Sequence, residues 1–146
     1  MPRIERSAEV VWEGNVARGS GRITGATGAF SELPYSLPSR IGSPDGKTSP
    51  EELLAAAHGG CLTMSVASEL SQAGTPPTRI ETTCQIVMDE VAGEGHQIVA
   101  SNVSVAVDAD GASDDDVAAA LERGDKSCPF STLLRKAGVQ VSIARG

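Results

Sequence analysis

The sequence predicts a single α+β domain over residues 1–146. One stretch, "SPEELLAAAHGGCLTMSVASELSQ" at 49–72, has the capping signals and apolar content of a long helix. Two later stretches, "RIETTCQIVMDEV" at 79–91 and "HQIVASNVSVAVDA" at 96–109, alternate apolar and polar residues as paired strands do. The remaining elements do not alternate strand and helix, which argues against a βαβ series.

Taken in order, "AEVVWEG" (8–14) and "SGRITGATGAF" (20–30) carry β-branched residues and end in glycines, so they read as a strand pair. "SELPYSLPSRIGSPDGKTSP" (31–50) is rich in Pro, Gly and Ser and reads as a long connection, with a short strand around Tyr35 to Leu37. Loops of that length in compact domains are usually functional or mobile. The helix then starts with Ser49 as N-cap, Pro50 at the first position and Glu52 completing a capping box. It runs to about Gln72, roughly 35 Å at 1.5 Å per residue, and "AGTPP" stops it. Few charges follow Glu52, so the helix is expected to be buried on most sides. A chain this small can scarcely wrap it alone, and a partner subunit is expected. The two alternating stretches, with "AGEG" between them, read as long antiparallel strands. "SDDDVAAALERGDKS" (113–127) reads as a helix capped by Ser113, with Asp114 to Asp116 at its positive end. "CPFSTLLRKAG" (128–138) reads as a short helix with Pro129 at its first position, and "VQVSIA" (139–144) as a closing strand.

Composition removes several function classes. The net charge is −7, so a polyanion would find little to neutralise its phosphates. Trp12, Phe30, Tyr35 and Phe130 are the only aromatics, which leaves no base-stacking platform. No run reaches the roughly 18 apolar residues of a membrane span. The first residues are charged and lack an apolar signal core, so the chain reads as cytoplasmic. Thiols stay reduced there, and three cysteines are then buried small residues, metal ligands or reactive thiols rather than a disulfide framework.

Those cysteines are Cys61, Cys84 and Cys128. His58 lies three positions before Cys61, on the same helix face. His58, Cys61 and Cys128 form a conceivable zinc set, but paired ligand spacing is absent; His96 is the only other histidine. Cys84 sits mid-strand with no evident polar neighbour and reads as a buried small residue. Gly59 and Gly60 flank Cys61 and cost about 1 kcal/mol each against alanine in a helix, so they open space either for a substrate or for close packing. A thiol in mid-helix gains nothing from its own helix N-terminus and needs a cation to ionise. Cys128 is placed as N-cap of the following helix, where unpaired N–H groups favour a thiolate. Glu52 is explained by the capping box. Glu51 lies on the His58 side of the helix, about 15 Å along the axis from Cys61, so it can serve a Cys61 only across a subunit interface; its alternative is a favourable interaction with the helix dipole.

"TSPEELLAAAHGGCLTMSVASELSQAG", followed by "SCPFSTLL", resembles the OsmC/Ohr family of bacterial thiol peroxidases, closer to the OsmC branch. "VVWEGN", the "PSRIG" loop and the paired long strands extend the likeness over nearly the whole chain. The resemblance implies an intertwined homodimer in which two long buried central helices are enclosed by curved antiparallel sheets, with active sites at the subunit interface. It implies reduction of organic hydroperoxides, with Cys61 as the peroxidatic cysteine and Cys128 as the resolving one. Glu51 would match the catalytic glutamate and Arg40 the arginine of the OsmC branch, with Arg18 in "ARGSG" as the rival. Leu62, the Gly59–Gly60 pair and Phe130 depart from the usual pattern and bear on substrate preference. No metal or organic cofactor is implied, only an external dithiol, of lipoyl type in related proteins. Two other readings stay open: a Cys61–His58 nucleophile–base pair for acyl transfer, and a non-enzymatic ligand-binding or stress-related dimer whose cysteines are buried and inert.

Overall fold

The computed structural model describes residues 2–146. They form two compact units, one ending at Pro50 and the other running Glu51–Gly146.

In the first unit β1 (Ala8–Glu13) pairs antiparallel with β2 (Ser20–Gly25), which pairs antiparallel with β3 (Leu33–Tyr35). Gly21 sits opposite both Trp12 and Tyr35. A side chain there would collide with the Tyr35 ring and come within 2.9 Å of Trp12. Glycine therefore lets the two rings close over the middle strand, with centroids 5.6 Å apart. The short strand ends at Tyr35 rather than extending to Leu37. Residues Leu37–Ile41 form a brief helix, α1. The reason is local: the Ser39 N–H donates to Ser36 Oγ at 3.2 Å and the Ser36 N–H to Ser39 Oγ at 3.1 Å. That reciprocal cap, with Pro38 fixing φ in the first turn, starts a helix where a strand was expected.

The second unit opens with α2 (Pro50–Gln72), followed by β4 (Arg79–Val91) and β5 (Gly95–Asp108). The two strands pair antiparallel along their length, with one register shift at Val87/Met88. Then come α3 (Asp114–Ser127), capped by Ser113 and Asp116 in a capping box, α4 (Pro129–Lys136) and β6 (Gln140–Arg145). β6 pairs parallel with β5, so this sheet, ordered β4-β5-β6, is mixed rather than wholly antiparallel. The cause is the connection: α3 and α4 carry the chain back across the sheet, as a parallel return requires.

The core joins Leu62, Val66 and Leu70 of α2, Val103 and Val105 of β5, and Val117, Ala120 and Leu121 of α3, with Cys128 among them. Gly124 of α3 lies against Val66: a Cβ there would be 3.0 Å from the Val66 backbone nitrogen. α2 is less enclosed within one chain than its composition predicts. Only the His58, Gly59, Leu62, Val66, Leu70 side is buried, while Glu52, Ala56, Gly60, Met64 and Ser68 form an exposed ridge. Met64 is 76% exposed. Among the described residues no helix is long and apolar enough to cross a membrane.

Candidate active site

α2 places Cys61 at its middle, half-buried, and the α3–α4 corner places Cys128, fully buried. Both are free thiols, and Cys128 lies near enough to act on the Cys61 thiol. Cys128 closes α3 and caps α4 in one residue; its Sγ accepts the Ser131 backbone N–H at 3.5 Å. The expected N-cap is therefore present. Pro129 follows at the first helical position, where a missing N–H costs nothing.

Cys61 has a source of help outside its own helix. Its own helix gives it no N-terminal amide, but another helix does. The Phe130 backbone N–H, in the first turn of α4, acts on the Cys61 sulfur in the sense that favours its thiolate, and the Ser65 hydroxyl acts with it. Adjacent amides of one helix N-terminus thus serve the two sulfurs, Phe130 for Cys61 and Ser131 for Cys128. These donors favour a Cys61 thiolate. Burial opposes them most strongly, the Cys128 thiol opposes them next, and the balance raises the Cys61 pKa above its ordinary 9.0.

His58 is fully buried. Its Nδ1 lies 2.6 Å from Ser101 Oγ on β5, and its Nε2 2.8 Å from Ser131 Oγ on α4. Burial lowers its pKa; Asp125 opposes that shift and Arg135 reinforces it, so the ring is neutral at pH 7. Both nitrogens are engaged by serine hydroxyls and neither is bonded to Cys61, so the nucleophile–base pair of the acyl-transfer reading is not formed. The same engagement keeps the ring from a metal. Among the described residues no group of three or more His, Cys, Asp or Glu side chains is arranged to hold one.

Cys84 is less isolated than its sequence context suggests. Its Sγ lies 3.4 Å from Ser101 Oγ and 3.9 Å from His58 Nδ1. It is half-buried and lines an open depression of 530 Å³ with Glu52, Gly60, Thr63 and Thr82. The two glycines beside Cys61 differ. Gly59 admits β4, since a Cβ there would meet the Cys84 Cβ at 3.3 Å, whereas Gly60 has nothing within 4 Å.

Arg135, on α4, makes a two-pronged pair with Asp125 at 3.0 and 2.7 Å. That pair raises its pKa, and Cys128 acts on it in the same sense, so a guanidinium lies within electrostatic reach of Cys128. Glu51 stands in the first turn of α2, half-buried. Arg40 lies in the first unit, in the last turn of α1, at a cavity of 330 Å³ lined by Trp12, Val16, Tyr35 and Leu37. Arg18 sits exposed in the turn after β1, its backbone N–H held by Asn15 Oδ1 at 2.8 Å. Ser101, Ser131 and the Phe130 amide were not singled out in the sequence. Ser101 had a signal, being in phase with Val103 and Val105 on the core face of β5, where a polar group must find a partner.

Residues 42–144 match the family model described as OsmC-like protein. The chain is 34% identical over 133 residues to Peroxiredoxin OsmC of Escherichia coli, covering 90% of this chain and 91% of that protein. Among solved structures, an organic hydroperoxide resistance protein OsmC from Legionella pneumophila superposes with a TM-score of 0.74 at 17% identity, covering 99% of each chain. The organic hydroperoxide resistance protein OhrB of Bacillus subtilis superposes with a TM-score of 0.71 at 20% identity, covering 96% of this chain and 98% of that one. At those identities the superpositions establish the fold.

Proposed function

The chain belongs to the OsmC-like family, and on that premise we propose that it is a thiol peroxidase that reduces organic hydroperoxides to alcohols through Cys61 and Cys128. The observation that carries the proposal is that two free thiols lie near one helix N-terminus, whose Ser131 amide donates to Cys128 and whose Phe130 amide acts on Cys61.

The Cys61 thiolate attacks the outer oxygen of ROOH. The O–O bond breaks, sulfur is oxidised to sulfenic acid, and the alkoxide takes a proton to leave as ROH. The Cys128 thiol then condenses with the sulfenic acid, forming the Cys61–Cys128 disulfide and water. An external dithiol, lipoyl-type by analogy with the family, restores both thiols by exchange. No metal or organic cofactor takes part in this cycle.

On the motif match alone, Arg40 holds Cys61 ionised and bonds the peroxide oxygen, and Glu51 orients Arg40 through a planar pair. Because Glu51 cannot reach its own Cys61 along α2, the proposal includes a homodimer. The exposed α2 ridge, with Met64 its one large apolar side chain, is the face such pairing would cover. A reducing compartment such as the cytoplasm suits the two free thiols.

The raised Cys61 pKa supports a second reading, a non-enzymatic dimer with inert thiols. One experiment separates the two. Fully reduced protein is titrated with one equivalent of cumene hydroperoxide, free thiols are counted, and disulfides are mapped by mass spectrometry. Rapid loss of two thiols, a Cys61–Cys128 bridge and a free Cys84 are expected. Unchanged thiols, or slow oxidation spread over all three cysteines, would overturn the peroxidase proposal in favour of the second reading.

A further inference from the structure

His58 is the one buried titratable side chain of this region to which the chemistry above gives no task. A buried imidazole costs desolvation unless both nitrogens are satisfied, and here each contact is made to a different element. Nδ1 holds Ser101 in the sheet, and Nε2 holds Ser131 in the first turn of α4. Ser131 is also the residue whose N–H donates to Cys128, and the amide of its neighbour Phe130 acts on Cys61 in favour of the thiolate. We infer that His58 is a positioning residue that ties the N-terminal turn of α4 to α2 and β5, keeping the Phe130 and Ser131 amides aimed at the two sulfurs. The inference rests on the peroxidase reading for its role in turnover, but the tie itself acts on thiol chemistry with or without peroxide.

The location of the tie supports this. α4 has only eight residues, too few to hold its own conformation without tertiary contacts. Pro129 removes one amide from its first turn, so the amides of Phe130 and Ser131 are the ones presented to the sulfurs. An aromatic ring of similar shape at position 58 would fill the space but release the turn. Small displacements of that kind are costly where two reacting atoms must meet.

Four variants test it: His58→Phe, His58→Gln, His58→Asn and Ser131→Ala. Ser131→Ala keeps the backbone N–H and removes only the hydroxyl, so it tests the tie even if His58→Phe does not fold. The Gln amide reaches about where Nε2 lies and the Asn amide about where Nδ1 lies, so Gln preserves the bond to Ser131 and Asn does not. Two readouts are taken well below the melting temperature. The first is the pH profile of Cys61 alkylation by iodoacetamide, without peroxide. The second is the lifetime of the Cys61 sulfenic acid after one equivalent of hydroperoxide, followed by trapping with a cyclic 1,3-diketone.

In Ser131→Ala, His58→Asn and His58→Phe, the alkylation midpoint is expected to move up and conversion of sulfenic acid to disulfide to slow by about tenfold or more. His58→Gln is expected to stay near wild type. A lowered melting temperature with both readouts unchanged would overturn the inference, since that is what a purely structural histidine gives. So would equal behaviour of the Gln and Asn variants. If wild-type protein forms no Cys61–Cys128 bridge, the peroxidase proposal fails, and the alkylation profile alone still decides whether His58 aims the amides.

Discussion

Replacing Gly124 by alanine tests how tightly α3 is set against α2. The added Cβ would lie 2.8 Å from Val66 Cγ2, 3.0 Å from Val66 N and 3.1 Å from Val66 Cα. The methyl could rotate aside, but the other two atoms belong to the backbone of α2 and cannot. The helices must then separate by a few tenths of an ångström, and overpacking of this kind costs about 1–3 kcal/mol. Against that, alanine in a helix interior gains about 1 kcal/mol over glycine. The net expectation is a loss of up to about 2 kcal/mol. Gly60→Ala is the internal control, since nothing lies within 4 Å of its Cβ position. It should gain about 1 kcal/mol if the ridge is free and lose stability if a second copy covers it. The assay is urea unfolding at equal slope, repeated over a range of protein concentrations. Gly124→Ala stabilised by the full helix-propensity gain would refute the packing reasoning.

Arg40→Gln should raise the midpoint of Cys61 alkylation by about one unit or more if the guanidinium serves that thiol; an unchanged midpoint would return the task to Arg18 or to no arginine. Cys128→Ser should lose one thiol per equivalent of hydroperoxide rather than two, with a trappable sulfenic acid and no internal bridge by mass spectrometry. His58 is held neutral, with its pKa lowered from 6.5. The unfolded chain therefore binds the extra proton first: the contribution to stability is complete above about pH 6.5 and is lost as pH falls toward the lowered folded value. Melting temperatures should drop between pH 7 and 5, above the range where carboxylates protonate, and His58→Gln should flatten that slope.

Much of the second unit was legible because its signals are local. The α2 start, the two long strands, the Ser113 cap and the Cys128 cap each depend on residues within a few positions of one another. The misses are non-local. Whether β6 returns parallel depends on the path of α3 and α4, which no strand pattern encodes. Cys84 looked solitary because Ser101 and His58 approach it from other elements. The amide that reaches Cys61 belongs to Phe130, on a helix far along the chain, and backbone donors leave no residue-type signature. His58, Leu62, Val66 and Leu70 share one buried face at four-residue spacing, so the polar member of that stripe announced a need for partners without naming them. In the first unit α1 was missed for a local reason: two serines and a proline read as loop when their reciprocal capping is not considered.

The order in which the second unit can assemble follows from its parallel β5–β6 pair. β4 and β5 are adjacent in sequence and can zip from their Gly-containing turn, at little cost in loop entropy. β6 can dock only after α3 and α4 have crossed the sheet, and its pairing is the last long-range contact along the chain. Cys128 rides on that crossover, whereas Cys61 sits in α2, which precedes the whole sheet. A chain in which only the C-terminal segment has come loose would keep Cys61 on its helix and lose both the second thiol and the Phe130 amide that acts on the first. Local opening at this end would leave a lone, unguarded thiol in place of a coupled pair.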